Sequence, residues 1–429
     1  MLKRIVVVLS LAFGAAVLST VLVLTPDTAI AQDEKKEEEK KDKPRVGAKV
    51  VKPLNAAQDA MKKEDWDTAL AKTLEASAIP DKTSYEQYQI DEFLSFIYLK
   101  KSDYVNAEKA YGALLKSEYL PPEDVPNRVK IATQLSFQNQ NYKQAIEYGK
   151  RWIETGGDSS SEAHSLLAQA YFIEDDFPNA LKHANSAIEA AKRAGEPVKE
   201  PWLQIKLQAQ NEADDMVGVA ATLEELVRAF PSQKYWEQLL GVNQRVMEQD
   251  DRVTLSLFEL MFELNALKRD VDYVEMSQLA IEAGVPGEAV KALEQGFANK
   301  VLEKEDVPRR KALLQEAQTS AQNDKKSLPA LEAEAKNAKT GQADAGLGAA
   351  YLSYDQYDKA AEALRRGITK GGLKRPEEAQ LALGRALLEL NQPEEALKAF
   401  AAVPDPSKFA RVANLWEIYA AGPRPIPQK

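Results

Sequence analysis

The chain holds two histidines, His164 and His183, and no cysteine. Imidazole is the usual side chain for proton transfer near neutrality, and imidazole with thiolate is a common zinc set. Without cysteine there is no disulfide, no thiol nucleophile, no thiolate metal site and no lipidated N-terminal cysteine. A metal between His164 and His183 competes with ordinary packing or surface positions, and no clustered carboxylates accompany the pair to complete a coordination shell. Gly346-Leu347-Gly348 lacks the third glycine and the preceding strand of a dinucleotide loop, and Gly112-Ala113-Leu114-Leu115-Lys116-Ser117 lacks the first glycine of a phosphate loop. Glu377-Glu378 and Glu394-Glu395 stand where helices begin, which suits the helix dipole rather than acid–base work. Asp214-Asp215 and Asp250-Asp251 read as turns. No catalytic residue, metal ligand or cofactor is nominated, and a carboxylate site in the irregular stretch Lys300–Lys326 is the remaining enzymatic alternative.

The elements that would position such residues follow a repeat. Asp65-Trp66-Asp67-Thr68-Ala69 returns as Asp103-Tyr104-Val105-Asn106-Ala107, Asn141-Tyr142-Lys143-Gln144-Ala145 and Asp176-Phe177-Pro178-Asn179-Ala180. The alanines are 38, 38 and 35 residues apart, and Ala360 and Ala396 are 36 apart. Asp or Asn caps a second helix, the aromatic residue plugs the corner, and alanine lets two helices approach closely. A larger residue four positions on (Tyr111, Leu364, Phe400) fills the next layer, while Gly348 and Gly384 permit contact on the first helix. Tyr98, Tyr171 and Tyr351 stand three residues after the small position. The pattern resembles the tetratricopeptide repeat, with its period near 34. That resemblance implies an all-α, right-handed superhelical solenoid of about ten helix-turn-helix repeats with a C-terminal capping helix. A continuous superhelix is expected, with Lys300–Lys326 as the place for a kink or seam.

The ends carry different information. Lys3 and Arg4 precede an uncharged run, Ile5–Leu24, and Ala29-Ile30-Ala31 offers small residues to a signal peptidase, so cleavage before Gln32 is expected. The run is also long enough to span a bilayer, so an uncleaved anchor is the alternative, and membrane contact is expected only in that case. Either way the rest is placed outside the cytoplasmic membrane, in a bacterial periplasm. Gln32–Arg45 has six acids and six bases and reads as a solvated spacer. The sequence thus divides into a leader at 1–31, a charged disordered linker at 32–52, N-terminal repeats at 53–299, a degenerate repeat region at 300–343, C-terminal repeats with a capping helix at 344–421, and a tail at 422–429. The formal net charge of −10 gives no reason to expect a nucleic acid partner.

Two stretches carry a closer resemblance: "YFIEDDFPNALKHANSAIEAAKRAGEPVKEPWLQIKLQAQ" and "ITKGGLKRPEEAQLALGRALLELNQPEEALKAF". They resemble proteobacterial envelope tetratricopeptide proteins assigned to the TonB system, over about Ala56 to Tyr419. The resemblance implies association with TonB–ExbB–ExbD components and transfers no site residue.

In tetratricopeptide stacks the first helices line a concave groove. The candidate binding residues on that surface are Phe96, Lys130, Gln134, Phe137, Gln169, Phe172 and Gln208. Glutamine donates and accepts, which matches a peptide backbone, and Phe137 and Phe172 are apolar anchors. Exposed helix-forming glutamines beside a half-buried core row are the competing reading. Lys130 fits one place in the carboxylate clamp of chaperone-binding relatives, but Gln134 and Leu166 stand where asparagine is needed, so that clamp is not expected. The expected function is a non-enzymatic periplasmic scaffold binding a protein or peptide partner. The alternative is an assembly or regulatory factor for outer-membrane protein biogenesis or cell-wall remodelling.

Overall fold

The computed structural model describes residues 45–156, 161–247, 249–304 and 306–422. The expected leader at 1–31, most of the charged segment and nearly all of the tail lie outside these. Among the described residues there are twenty helices and no strand. Backbone contacts divide the chain into two units, Met1–Asp214 and Asp215–Lys429.

Unit 1 begins with α1 (Ala48–Lys62), α2 (Trp66–Ser77), α3 (Ser84–Lys100) and α4 (Tyr104–Leu114). It continues with α5 (Val125–Gln138), α6 (Tyr142–Gly156), α7 (Ser161–Ile173), α8 (Phe177–Ala194) and α9 (Glu200–Glu212). Each successive pair up to α8 is a hairpin of the expected kind. Asp65, Asp103 and Asp176 accept from the backbone N–H three residues on, at 3.1, 3.2 and 3.2 Å, and so start α2, α4 and α8. The turn before each cap is equally regular. Glu64, Ser102, Gln140 and Asp175, each five residues before the repeat alanine, have φ of 57°, 57°, 62° and 59°. The next residue's N–H then reaches back to a carbonyl on the first helix, as from Asp103 to Tyr98 at 2.9 Å, which satisfies a helix end that would otherwise be bare. Ala69, Ala107, Ala145 and Ala180 are all buried at the crossings. Helix α1 begins inside the segment expected to be linker, because Val50 and Leu54 are buried there and Glu86 binds the Gly47 N–H at 2.8 Å.

Unit 2 begins with α10 (Met216–Ala229), α11 (Gln233–Val246), α12 (Asp251–Glu263), α13 (Asp270–Ala283) and α14 (Pro286–Ala298). Then come α15 (Val307–Asn337), α16 (Gln342–Ser353), α17 (Tyr357–Lys370), α18 (Pro376–Glu389), α19 (Pro393–Ala401) and α20 (Ala410–Ala421). The same device recurs, with Asp355 and Asn391 left-handed (φ 61° and 57°) five residues before Ala360 and Ala396. A Cβ on Gly348 would stand 2.5 Å from Leu364 Cγ, and one on Gly384 2.2 Å from the Phe400 ring, so the two glycines mark the expected close crossings. The doubled acids sort as expected too. Asp215 and Asp250 cap α10 and α12, and Glu377-Glu378 and Glu394-Glu395 fill first turns.

Two features depart from the expected repeat. The region 300–343, expected as a degenerate repeat, is filled mostly by the single helix α15 of 31 residues with Pro329 inside it. The helix contains no glycine to break it, and the hydroxyls of Tyr351 and Tyr354 fasten it by donating to Glu332 and Asp324 at 2.8 and 2.7 Å. The last helix does more than cover an end. Besides α19, α20 packs on α10 and α12. Arg411 and Asn414 reach Glu224 at 3.4 and 2.9 Å, Arg228 donates to Asn414 at 3.1 Å, and Arg411 also meets Asn243. Unit 2 therefore folds back so that its last helix contacts its first.

Candidate functional site

In unit 1 the residues expected to line a groove fall on α3, α5, α7 and α9. Phe96 is half-buried, edge-on to Trp66 at 5.9 Å, with the Lys100 ammonium 5.4 Å above its ring. Lys130 and Gln134, one turn apart on α5, converge on the carboxylate of Glu162 on α7. The ammonium lies 2.7 Å from one oxygen, and the amide donates to the other at 2.8 Å. Gln169 is buried and donates to the Ser165 carbonyl and hydroxyl, both at 3.2 Å, while the Trp202 indole also donates to that hydroxyl at 2.7 Å. Phe137 and Phe172 are half-buried, edge-on to Tyr142 and Phe177 at 5.4 and 5.7 Å. Gln208 is exposed and donates to Glu212 at 3.0 Å, within its own helix. The amide N–H groups of Gln134 and Gln169 are thus committed to neighbouring helices or to the preceding turn.

The two histidines come together across the α7–α8 hairpin, with Nδ1 atoms 2.9 Å apart and Tyr171 stacked on His183 at 5.5 Å. One Nδ1 donates to the other, so the pair accommodates one proton between them. Burial pushes both imidazoles down, His183 to about 4, with His164 and the cations Lys182 and Lys150 adding to that fall. Among the described residues no group of three or more His, Asp or Glu is arranged to hold a metal ion.

Unit 2 brings together residues that the sequence reading passed over. Arg385 on α18, 8% exposed, reaches Glu259 on α12 at 2.7 Å and Glu288 on α14 at 3.0 Å. Its guanidinium also lies 5.7 Å from the centre of the Trp416 ring on α20. Lys291, one turn beyond Glu288, pairs with Asp355 at 2.9 Å and lies 3.6 Å from Glu288. Beside this cluster is a cavity of about 20 Å³, room for roughly one water-sized group. Its wall includes Glu263, Glu389, Tyr357, Tyr419, Trp416 and Leu388.

Burial pushes the Glu259 carboxyl up against the opposing pull of Arg385. The same cause lifts Glu263 to about 7; Arg385 opposes the rise, and Glu389 and Glu288 reinforce it. Glu263 nevertheless keeps much of its surface open to solvent. It is a carboxylate crowded by protein at the mouth of a cleft rather than one sealed away from water, so its shift is moderated by solvent screening. Burial and the hydrogen bond to Asp355 push the Tyr357 phenol up as well. The arrangement is suited to recognising charge. Only the acidic starts of α18 and α19 were visible beforehand, because the carboxylates and their arginine lie on helices far apart in sequence.

No protein-family model and no curated protein matches the sequence. Solved structures similar to the chain include apo RapI, at 10% identity over 64% of this chain and 99% of that one, with a TM-score of 0.30. The P58(IPK) TPR domain aligns at 10% identity over 87% and 97%, with a TM-score of 0.23. Yeast Tom70 aligns at 10% over 86% and 95%, with a TM-score of 0.20. At these scores the fold class rests on the chain's own succession of helix hairpins.

Proposed function

We propose that this chain is a non-enzymatic scaffold of the bacterial periplasm that binds a protein or peptide partner and works alongside TonB–ExbB–ExbD components. The observation that carries the binding role is the repeated hairpin itself. It sets Phe137 and Phe172 at equivalent half-buried places on successive first helices, with Phe96 one helix earlier at the place that Gln134 and Gln169 take, and the amides of those two glutamines are already fixed by hydrogen bonds. Such pre-ordering lowers the entropy cost of binding an extended segment. The envelope address and the TonB association are supported by the N-terminal pattern and by the sequence resemblance.

The test is photo-crosslinking in intact cells from residues beside Phe137 and Phe172. Recovery of TonB–ExbB–ExbD components is expected, whereas recovery of outer-membrane biogenesis factors or wall-remodelling enzymes alone would replace this reading. Truncating an aromatic anchor costs about 2 kcal/mol or more of binding, and losing one neutral hydrogen bond about 0.5–1.5 kcal/mol. Phe137→Ala and Phe172→Ala should therefore weaken capture more than Gln208→Ala does, with circular dichroism confirming the fold.

A further inference from the structure

We propose that the cleft of unit 2 bounded by Glu263, Glu389, Tyr357 and Trp416 seats a lysine side chain from a partner polypeptide. This rests on the reading of the chain as a partner-binding scaffold and names the chemistry of one of its sites.

The argument begins with charge. Five carboxylates face this region: Glu259 and Glu263 from α12, Glu288 from α14, Asp355 from the turn after α16, and Glu389 from α18. Two cations, Lys291 and Arg385, oppose them. Arg385 is taken by Glu259 and Glu288, and Lys291 by Asp355 with Glu288 nearby. Among the described residues Glu263 and Glu389 have no cation within ion-pair distance, although both line the cavity and Glu389 raises the cost of ionising Glu263.

The second observation is independent of the carboxylates. Trp416 is 1% exposed, belongs to the same wall, and its indole N–H has no acceptor among the described residues. A buried donor without a partner is costly, so this wall is imperfectly satisfied within the chain itself. The cleft thus offers uncompensated negative charge against a wall that carries an unsatisfied donor. A lysine ammonium answers that charge.

Size and shape select among cations. A cavity of about 20 Å³ fits an ammonium head more readily than the broad guanidinium fork. Tyr357, Tyr419, Leu352 and Leu388 supply the apolar walls that sheath an aliphatic stem. No group of three or more carboxylates or histidines is arranged here to hold a metal ion among the described residues.

The probe is a library of twelve-residue peptides displayed on phage and selected on the full chain. Peptides recovered on the unmodified protein should be enriched in lysine. Binding of a fluorescent selected peptide should fall about tenfold or more in the Glu263→Gln, Glu389→Gln double variant. Acetylating the peptide's lysine should cost a similar factor on the unmodified protein and little on the double variant, whose fold is checked by circular dichroism. Equal loss from acetylation on both proteins, or selection of apolar or acidic peptides, would overturn the lysine site and leave the scaffold reading standing. Failure to recover any binder would overturn the scaffold reading and the lysine site with it.

Discussion

In unit 1 the polar ties between helices join residues no more than 39 positions apart among the described residues, as in Gly47 with Glu86 or Gln134 with Glu162. Unit 2 is made from the same hairpin, yet it also joins residues 97 to 190 positions apart, from Arg385 with Glu288 to Asn414 with Glu224. Nearest-neighbour ties make stability a sum of local interfaces, so unit 1 can open at one hairpin and keep the others. Ties from the last helix to the first make the opening of any one element of unit 2 felt by the rest. One repeat pattern therefore yields two kinds of cooperativity, and what separates them is whether the end helix finds a second partner.

The strongest way to break the contrast is to remove Arg385. Arg385→Met strands Glu259 and leaves the buried Glu288 with Lys291 alone, a loss of about 3–5 kcal/mol. Hydrogen exchange should then show α10–α20 losing protection together while α1–α8 keep theirs. Loss of protection confined to α18 would mean that unit 2 is as modular as unit 1.

Overpacking the crossings gives a smaller effect. Ala107→Leu, Ala145→Leu, Ala180→Leu and Ala360→Leu should each cost about 1–3 kcal/mol, because all four side chains are buried between paired helices. In unit 1 the damage should stay within the hairpin and its neighbours; from Ala360 it should reach α20. If these alanines tolerate leucine as well as exposed lysines do, the repeat register is wrong.

Proton linkage sharpens the comparison because its sign differs. Folding holds His183 neutral, with its pKa lowered from 6.5 to about 4, so the unfolded chain binds the extra proton. Unit 1 should lose stability as pH falls from about 6.5 through about 4, and His183→Gln should flatten that slope. Glu263 is shifted the other way, from 4.5 to about 7, so its contribution is complete below 4.5 and is lost as pH rises through 7. Glu263→Gln should remove that decline in unit 2, a shallower one because the side chain keeps its solvent contact. Melting curves of the two variants from pH 4 to 8 separate the slopes. Smallest of all, Lys130→Ala removes a half-exposed ion pair and should cost no more than about 1 kcal/mol, seen as a small shift in urea midpoint.

The repeat register was legible because it is written locally: an alanine, a cap and an aromatic residue within five positions produce the same turn wherever they occur. The histidine contact was legible in principle. Ala168 and Ala180 share one core cluster of the α7–α8 hairpin, and its antiparallel register brings His164 to His183. The Arg385 cluster had no such signature. Its members come from α12, α14 and α18, and a glutamate such as Glu263 at the end of α12 looks, in sequence, like any solvated helix residue. The length of α15 was missed for a related reason. The polar run Lys300–Lys326 was read as the place for a kink or seam, while the contacts that hold the helix come from tyrosines on the next one. The groove residues were located on the expected helices, but that Gln134 and Gln169 would spend their N–H groups on Glu162 and Ser165 depended on neighbours no repeat pattern specifies.

The left-handed residue at each hairpin turn makes this protein adjustable in small equal steps. Glu64, Ser102 and Gln140 adopt a conformation that costs an ordinary side chain about 1–2 kcal/mol, and glycine escapes that cost while giving up about 0.5–1 kcal/mol of chain entropy. Glycine at these places should therefore return a net gain of a few tenths to about 1 kcal/mol each. The three turns lie a full repeat apart and so share no immediate neighbours, which lets the gains accumulate. A graded series of variants, hardened one turn at a time without touching any helix face, becomes available from a feature that otherwise only punctuates the chain.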